Sequence, residues 1–291
     1  MRTLLAGSTG AIGRRVRQVL EAAGHEVVGL ARGETTGIAV DLLDRQAVLA
    51  AVDGQQFDAV VHHATALSRG ATTHRSMERT NRLRMEGTSA LVAVAKATGA
   101  TRMVSASAFY GYGLLDHGDE PLPETTVFGL GSGSDNDHVI RALESLEQQT
   151  AAIKGVNLRL GHVYGDRRVG AVASDFDALL PLVHIDDVAA ATLWALESAR
   201  PGQSYNIADD HPTGLAEFRL AERLAAHAPG LPPTPSWLLR ARAPFGAEFL
   251  TRTRIVLSTA KAHRAGWRPR FPSYEQGLHP KMSVVDEILA G

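Results

Sequence analysis

The chain has 291 residues, 44% of them apolar, and a formal net charge of −1, enough for a sizeable core in at most two lobes. Near-neutral charge without a basic run argues against nucleic acid as the main partner. The lack of cysteine excludes disulfides and thiolate metal sites, the twelve histidines show no HExxH spacing, and no apolar run reaches the length of a membrane span.

The chain enters an apolar strand at once. That leaves no room for a signal peptide and makes a cytoplasmic location the expectation. The strand ends in Gly7-Ser8-Thr9-Gly10-Ala11-Ile12-Gly13, and a helical pattern follows over Arg14–Ala23. A strand, a GxxGxxG turn and a helix in this order predict a dinucleotide site. The glycines serve a tight turn, close approach of backbone to a pyrophosphate, and packing of helix on strand. The diphosphate is expected at the helix N-terminus, where free N–H groups and the dipole favour an anion.

Gly24–Arg32 reads as the second strand. An NAD site usually carries Asp or Glu at its end, bonded to the adenosine ribose. Here Ala31 and Arg32 stand there. A guanidinium binds a 2′-phosphate through its planar fork, whereas a carboxylate would repel it, so NADP(H) is the expected cofactor, with Arg14 as a candidate second phosphate contact. Asp41 and Leu42 follow a short third strand (Gly37–Val40) and are placed to meet the adenine edge. Phe57–Ala64 reads as a buried strand that carries His63, Ala64 and Thr65 to the cofactor.

Asn81–Thr98 reads as one helix whose small residues (Gly87, Ala90, Ala93 and Ala97) suit a close partner helix, and a homodimer is expected. Thr101–Ser105 is the next strand, His138–Thr150 an amphipathic helix, Val156–Leu160 a strand, Ile185–Ser198 a helix and Ser204–Ala208 a short strand. Gly129–Gly133 reads as a lid loop. A Pro-rich stretch over 229–235 and an Arg-rich tail follow. Alternating strands and helices predict an α/β fold, a Rossmann-type doubly wound parallel sheet. Residues 1–165 and 183–208 are expected to form its dinucleotide-binding domain, and 166–182 and 209–291 a small C-terminal substrate lobe.

In chain order, GSTGAIG (7–13), VVHHA (60–64), MEGTSAL (85–91), VSASAFYGYG (104–113), LRLGHVYG (158–165), VHIDDVA (183–189), YNIAD (205–209) and AGWRPRFPSYEQGL (265–278) together resemble the extended or atypical short-chain dehydrogenase/reductases, the NAD-dependent epimerase/dehydratase group. The resemblance implies a nucleotide-binding lobe, a small-molecule substrate and often a dimer. It also places Arg84, Ser105, Gly161 and Val163 on cofactor-side segments. The family's catalytic pair is a Tyr with a Lys four residues later. None of the four lysines (Lys96, Lys154, Lys261, Lys281) has a Tyr in that place; Val92, Thr150, Leu257 and Gly277 stand there. The tyrosine slot falls among Asn136, Asp137, His138 and Val139, and Arg141 is the cation nearest the lysine slot.

The candidates to replace that pair are Ser107 and Tyr112, beyond the fifth strand, and His138 and His162. For the serine, Ala106 and Ser105 compete with Ser107 by spacing. For the phenol, Tyr110 competes with Tyr112 and is expected to matter less. The leading expectation is an NADP(H)-dependent oxidoreductase acting on a small carbonyl or alcohol. The alternatives are a non-redox isomerase, dehydratase or cyclase on the same scaffold, and an NADP-sensing binding protein.

Overall fold

The computed structural model describes residues 1–33, 37–67, 74–131, 133, 136–165, 178–226, 235, 237–238, 241, 246–247 and 253–278. Its strands are β1 (Arg2–Ala6), β2 (Glu26–Ala31), β3 (Gly37–Ala39), β4 (Ala59–His62), β5 (Arg102–Ala108), β6 (Val156–Leu160), β7 (His162–Tyr164), β8 (Leu179–Leu180), β9 (Leu182–His184), β10 (Ser204–Ile207) and β11 (Thr213–Gly214). The main helices are α1 (Ala11–Ala22), α2 (Arg45–Ala51), α3 (His74–Arg82), α4 (Thr88–Thr98), α5 (Asp137–Ala152), α6 (Ile185–Glu197) and α7 (Leu215–Ala225).

Seven strands form one sheet in the order β10-β6-β5-β4-β1-β2-β3, all its pairs parallel. The strands are apolar nearly throughout because both faces are covered. Alternate residues divide between two cores: Leu5, Val61 and Val104 face α1 and α6, while Leu4, Val60 and Met103 face Leu91 and Val94 of α4. The chain order reverses between β1 and β4, and ligands of such sheets bind outside the carboxyl ends of the strands at that switch point. A third core gathers Tyr112, Tyr164, Leu180, Leu215, Phe218 and Ile255, near the short β8–β11 pair. No helix among the described residues is long and apolar enough to cross a membrane.

The strands and helices expected from the sequence are present with ends shifted by a few residues. The main difference is the expected helix over 81–98. It begins earlier, at His74, and a π-helical turn over Leu83–Gly87 interrupts it before α4. Two of the four small residues in this stretch serve the chain's own packing: a Cβ at Gly87 would lie 3.0 Å from Cδ2 of Leu42, and Ala90 is buried in the core; Ala93 is half-buried and Ala97 exposed. The expected lid falls partly outside the described residues, at Ser132, as does the Pro-rich stretch apart from Pro235.

Candidate active site

The glycine turn forms as the sequence predicts. Gly7 has φ +86°, and a Cβ there would lie 2.7 Å from the backbone of Ala64. The loops after β1 and β4 therefore touch through Gly7. A Cβ at Gly13 would lie 2.0 Å from the Gly7 carbonyl oxygen, so α1 seats on the turn only with glycine there. Gly13→Ala is expected to cost about 1–3 kcal/mol of stability through overpacking and to weaken dinucleotide binding with it. Melting and calorimetric titration check this, and unchanged values in both would remove the packing argument.

No side chain caps α1: Gly10 occupies the cap, and the first turn holds no acid. The N–H groups of that turn are left for an anion. The Arg14 guanidinium donates to the Thr9 carbonyl and so ties down the glycine loop.

A cavity of about 300 Å³ opens at the switch point. Of the residues singled out in the sequence, Gly7, Thr9, Gly10, Ala31, Arg32, Asp41, Leu42, His63, Ala64 and Thr65 line it. Leu30, Val40, Ala66 and Leu83 line it as well, and sequence reasoning did not single them out. Their apolar side chains suit a flat ring. Ser8 and Gly13 are buried beneath the turn, and Ala11 and Ile12 are half-buried at the start of α1. Asp41 is held by Arg79 at 2.6 Å and accepts from Leu43 N at 3.1 Å. Burial works to raise its pKa, but the Arg79 bond and charge, the Leu43 N–H and the Arg32 charge bring it below the usual range. Arg32 is exposed at the cavity rim. The close backbone, uncapped helix end and basic rim all fit a dinucleotide.

His63 meets the cavity at the end of β4, but its side chain points elsewhere. Its Nε2 lies 3.0 Å from Thr192 Oγ1 on α6, and burial together with the neighbouring His62 pushes its pKa down to about 3. His62 Nδ1 accepts from Ala64 N, and Nε2 lies 3.3 Å from the Leu83 carbonyl. Both rings are structural.

Several expected site residues lie elsewhere. Ser105 is fully buried and its Oγ lies 2.9 Å from Thr150 Oγ1 on α5, so it is not a cofactor contact. Gly161 and Val163 are not among the residues that line the cavity; Gly161 packs against the Pro181 carbonyl and Val163 pairs with Val183.

Tyr112 is corrected most sharply. It is fully buried, donates to Asn206 Oδ1 at 2.8 Å and accepts from Arg159 at 2.7 Å. Burial pushes its pKa up to about 12. A phenol so enclosed and so weakly acidic is no proton donor to a bound substrate. Tyr110, the expected lesser candidate, is the half-buried one, with Arg84 Nη2 at 2.5 Å from its hydroxyl.

His162 is half-buried, and its Nε2 faces Arg219 at 3.0 Å. Burial and that charge push its pKa down to about 3, which removes it as an acid or base near neutral pH. His138 is exposed at the start of α5. Asn136 occupies the helix cap without a side-chain cap bond, and Asp137 accepts from Gly133 N; Ser134 and Asp135 lie outside the described residues. Ser107 stands near the carboxyl end of β5, 3% exposed, and its Oγ has no hydrogen-bond partner among the described residues.

A family model described as the NAD dependent epimerase/dehydratase family matches residues 3–208. A "3-diazoavenalumate denitrifying reductase" from Streptomyces sp is 32% identical, the match covering 96% of this chain and 99% of that protein. Among solved structures, the Thermus thermophilus UDP-glucose 4-epimerase in complex with NAD superposes with a TM-score of 0.74 at 25% identity over 99% of both chains. The human epimerase family protein SDR39U1 with NADPH superposes with a TM-score of 0.76 at 21% identity over 100% of both.

Proposed function

Because the chain belongs to the NAD-dependent epimerase/dehydratase family, we propose that it is a reductase that takes its hydride from NADPH and acts on a small organic substrate. The observation that carries this reading is the rim of the cavity. The β2 strand ends in Ala31 and the exposed Arg32, and Asp41, the nearest candidate partner for free ribose hydroxyls, is already engaged by Arg79. A guanidinium at that rim offers paired donors to a 2′-phosphate. Gly7 and Gly10 keep the backbone close, and the open end of α1 offers N–H groups to a diphosphate. A nicotinamide cofactor held there supplies hydride.

The kind of acceptor follows from what the chain lacks. Hydride added to a carbonyl leaves an alkoxide that must take a proton, and the YxxxK pair is missing. The Streptomyces relative is named for reduction of a diazo compound with loss of nitrogen. In that exchange hydride forms the new C–H bond, the C–N bond breaks, and its electron pair leaves with N2. An arenediazonium cation plus hydride balances as arene plus N2, with no net proton. A chain without the Tyr–Lys pair suits this acceptor, and we place diazo reduction ahead of carbonyl reduction. The half-buried Tyr110 beside Arg84 favours carbonyl reduction as the second reading, with that phenol as the donor.

Calorimetric titration with NADPH and NADH tests the cofactor. Arg32→Ala is expected to weaken NADPH by about 1.5–3 kcal/mol, the range of a charge-assisted bond, and to leave NADH nearly unchanged. Equal affinities of the unaltered protein for the two nucleotides would remove the argument. NADPH absorbance followed with 4-hydroxybenzenediazonium and with 4-hydroxybenzaldehyde then separates the two acceptors.

A further inference from the structure

The π-helical turn over Leu83–Gly87 puts two neighbouring side chains to different uses. Leu83 lines the dinucleotide cavity. Arg84, next to it, is 4% exposed. Turns of this kind interrupt a helix's regular bonding and are frequent at functional sites.

Arg84 differs in what it meets from Arg159, which is equally buried, and from the half-buried Arg219 and Arg15. Arg159 is paired with Glu147 at 2.8 Å, Arg219 with Glu222 at 2.6 Å, and Arg15 with Asp186 at 2.5 Å. Arg84 meets no carboxylate among the described residues. It reaches the Tyr110 hydroxyl at 2.5 Å, stands 5.4 Å from that ring's centroid, and has Asn81 Oδ1 at the long distance of 3.5 Å. A guanidinium has five N–H donors and a full charge. A buried charge without an opposite partner is expensive, and an incoming anion would relieve that cost.

A second observation points to the same edge of the sheet. Ser107 lies two residues beyond the point where β5 pairs with the end of β4, Ser105 opposite His62. Its hydroxyl is buried without a partner among the described residues, and the chain then turns through Phe109 to Tyr110. His62, on β4, is buried and also feels the Arg84 charge. Among the described residues, a cation without a carboxylate and a hydroxyl without a partner thus stand near the carboxyl ends of β4 and β5, and Leu83, next to the arginine in the chain, lines the cofactor cavity.

We propose that Arg84 receives the carboxylate of the substrate, with Ser107 as the adjoining hydrogen-bond donor. The planar fork of a guanidinium matches a carboxylate through two parallel bonds. The inference rests on the reductase reading for the identity of this molecule as substrate, and it moves Arg84 from the cofactor to the substrate.

The test is binding to the full chain saturated with NADP+, using 4-hydroxybenzoate and its uncharged methyl ester as probes. NADP+ affinity is measured first; if the nucleotide does not bind, the reductase reading fails by itself, and the probes are then titrated into the protein alone. The acid is expected to bind at least about tenfold more tightly than the ester, and Arg84→Gln to erase that difference while leaving NADP+ affinity within about twofold. Ser107→Ala is expected to weaken the acid by about three- to tenfold and the ester less. Arg84→Lys keeps the charge and loses the fork, so it should show an intermediate preference, and it carries the test if the glutamine variant does not fold. Equal binding of acid and ester, binding of neither, or a preference that survives Arg84→Gln would each overturn the proposal. A tenfold loss of NADP+ affinity in Arg84→Gln would return this arginine to the cofactor.

Discussion

Glu147→Ala is expected to cost the fold about 3–5 kcal/mol, the range for removing one partner of a buried ion pair. The Arg159 guanidinium donates to both Glu147 oxygens, to the Tyr112 hydroxyl and to the Glu124 carbonyl, and it stacks 4.0 Å from the Phe128 ring centroid. Both charged side chains are less than a tenth exposed, at 7% and 9%. Without Glu147 the guanidinium keeps its burial and loses its counter-charge. The urea midpoint reads the effect, and a loss below about 1 kcal/mol, the level of a surface pair, would contradict this account of the network. Tyr112→Phe removes one donor and one acceptor from the same network. It should cost about 1–3 kcal/mol and leave turnover per folded molecule unchanged. A hundredfold fall in turnover would restore Tyr112 as a proton donor.

Acid is expected to destabilise the protein by roughly 4 kcal/mol between pH 7 and pH 5. Four imidazoles are held neutral by burial: His62 and His184 are pushed down to about 4, and His63 and His162 to about 3. In the unfolded chain each titrates near its usual value of about 6.5. Below that value the unfolded state takes protons the folded state refuses, so each ring withdraws about 2 kcal/mol by pH 5. Two carboxyls act in the opposite sense. Burial pushes Asp209 up to about 8 and Asp187 up to about 6, so the folded state gains protons there as the pH falls and recovers about 4 kcal/mol over the same interval. The histidines prevail. Melting temperatures across this range decide it: a flat profile, or one that rises toward pH 5, would show that these rings are charged or solvated in the folded protein.

What the sequence made legible was local. The glycine turn acts through its backbone, and spacing along the chain was enough to single out Gly7, Gly10, Arg32 and Asp41, which line one cavity. The residues misjudged answer to partners far along the chain. Tyr112 meets Arg159 and Asn206, Ser105 meets Thr150, and His162 meets Arg219. A phenol in a glycine-bracketed loop reads the same whether it faces a substrate or a buried guanidinium. The Asp41–Arg79 pair was missed for the same reason. Arg84 was noticed because the family resemblance places it on a cofactor-side segment, but its lack of a carboxylate partner among the described residues emerges only from the folded neighbours. The interrupted helix had no signal either, because the apolar spacing of Leu83 and Leu91 reads through the π-turn without a break.

The contact between Gly87 and Leu42 gives the cavity a second boundary, set from behind. Leu42 lines the space where the adenine edge is expected, and the absence of a side chain at Gly87 decides how far Leu42 can withdraw. Any larger residue there would press the leucine toward the bound base. Nucleotide affinity in this protein can therefore drift through a substitution at a position that does not itself line the cavity, while every residue of the glycine turn stays as it is.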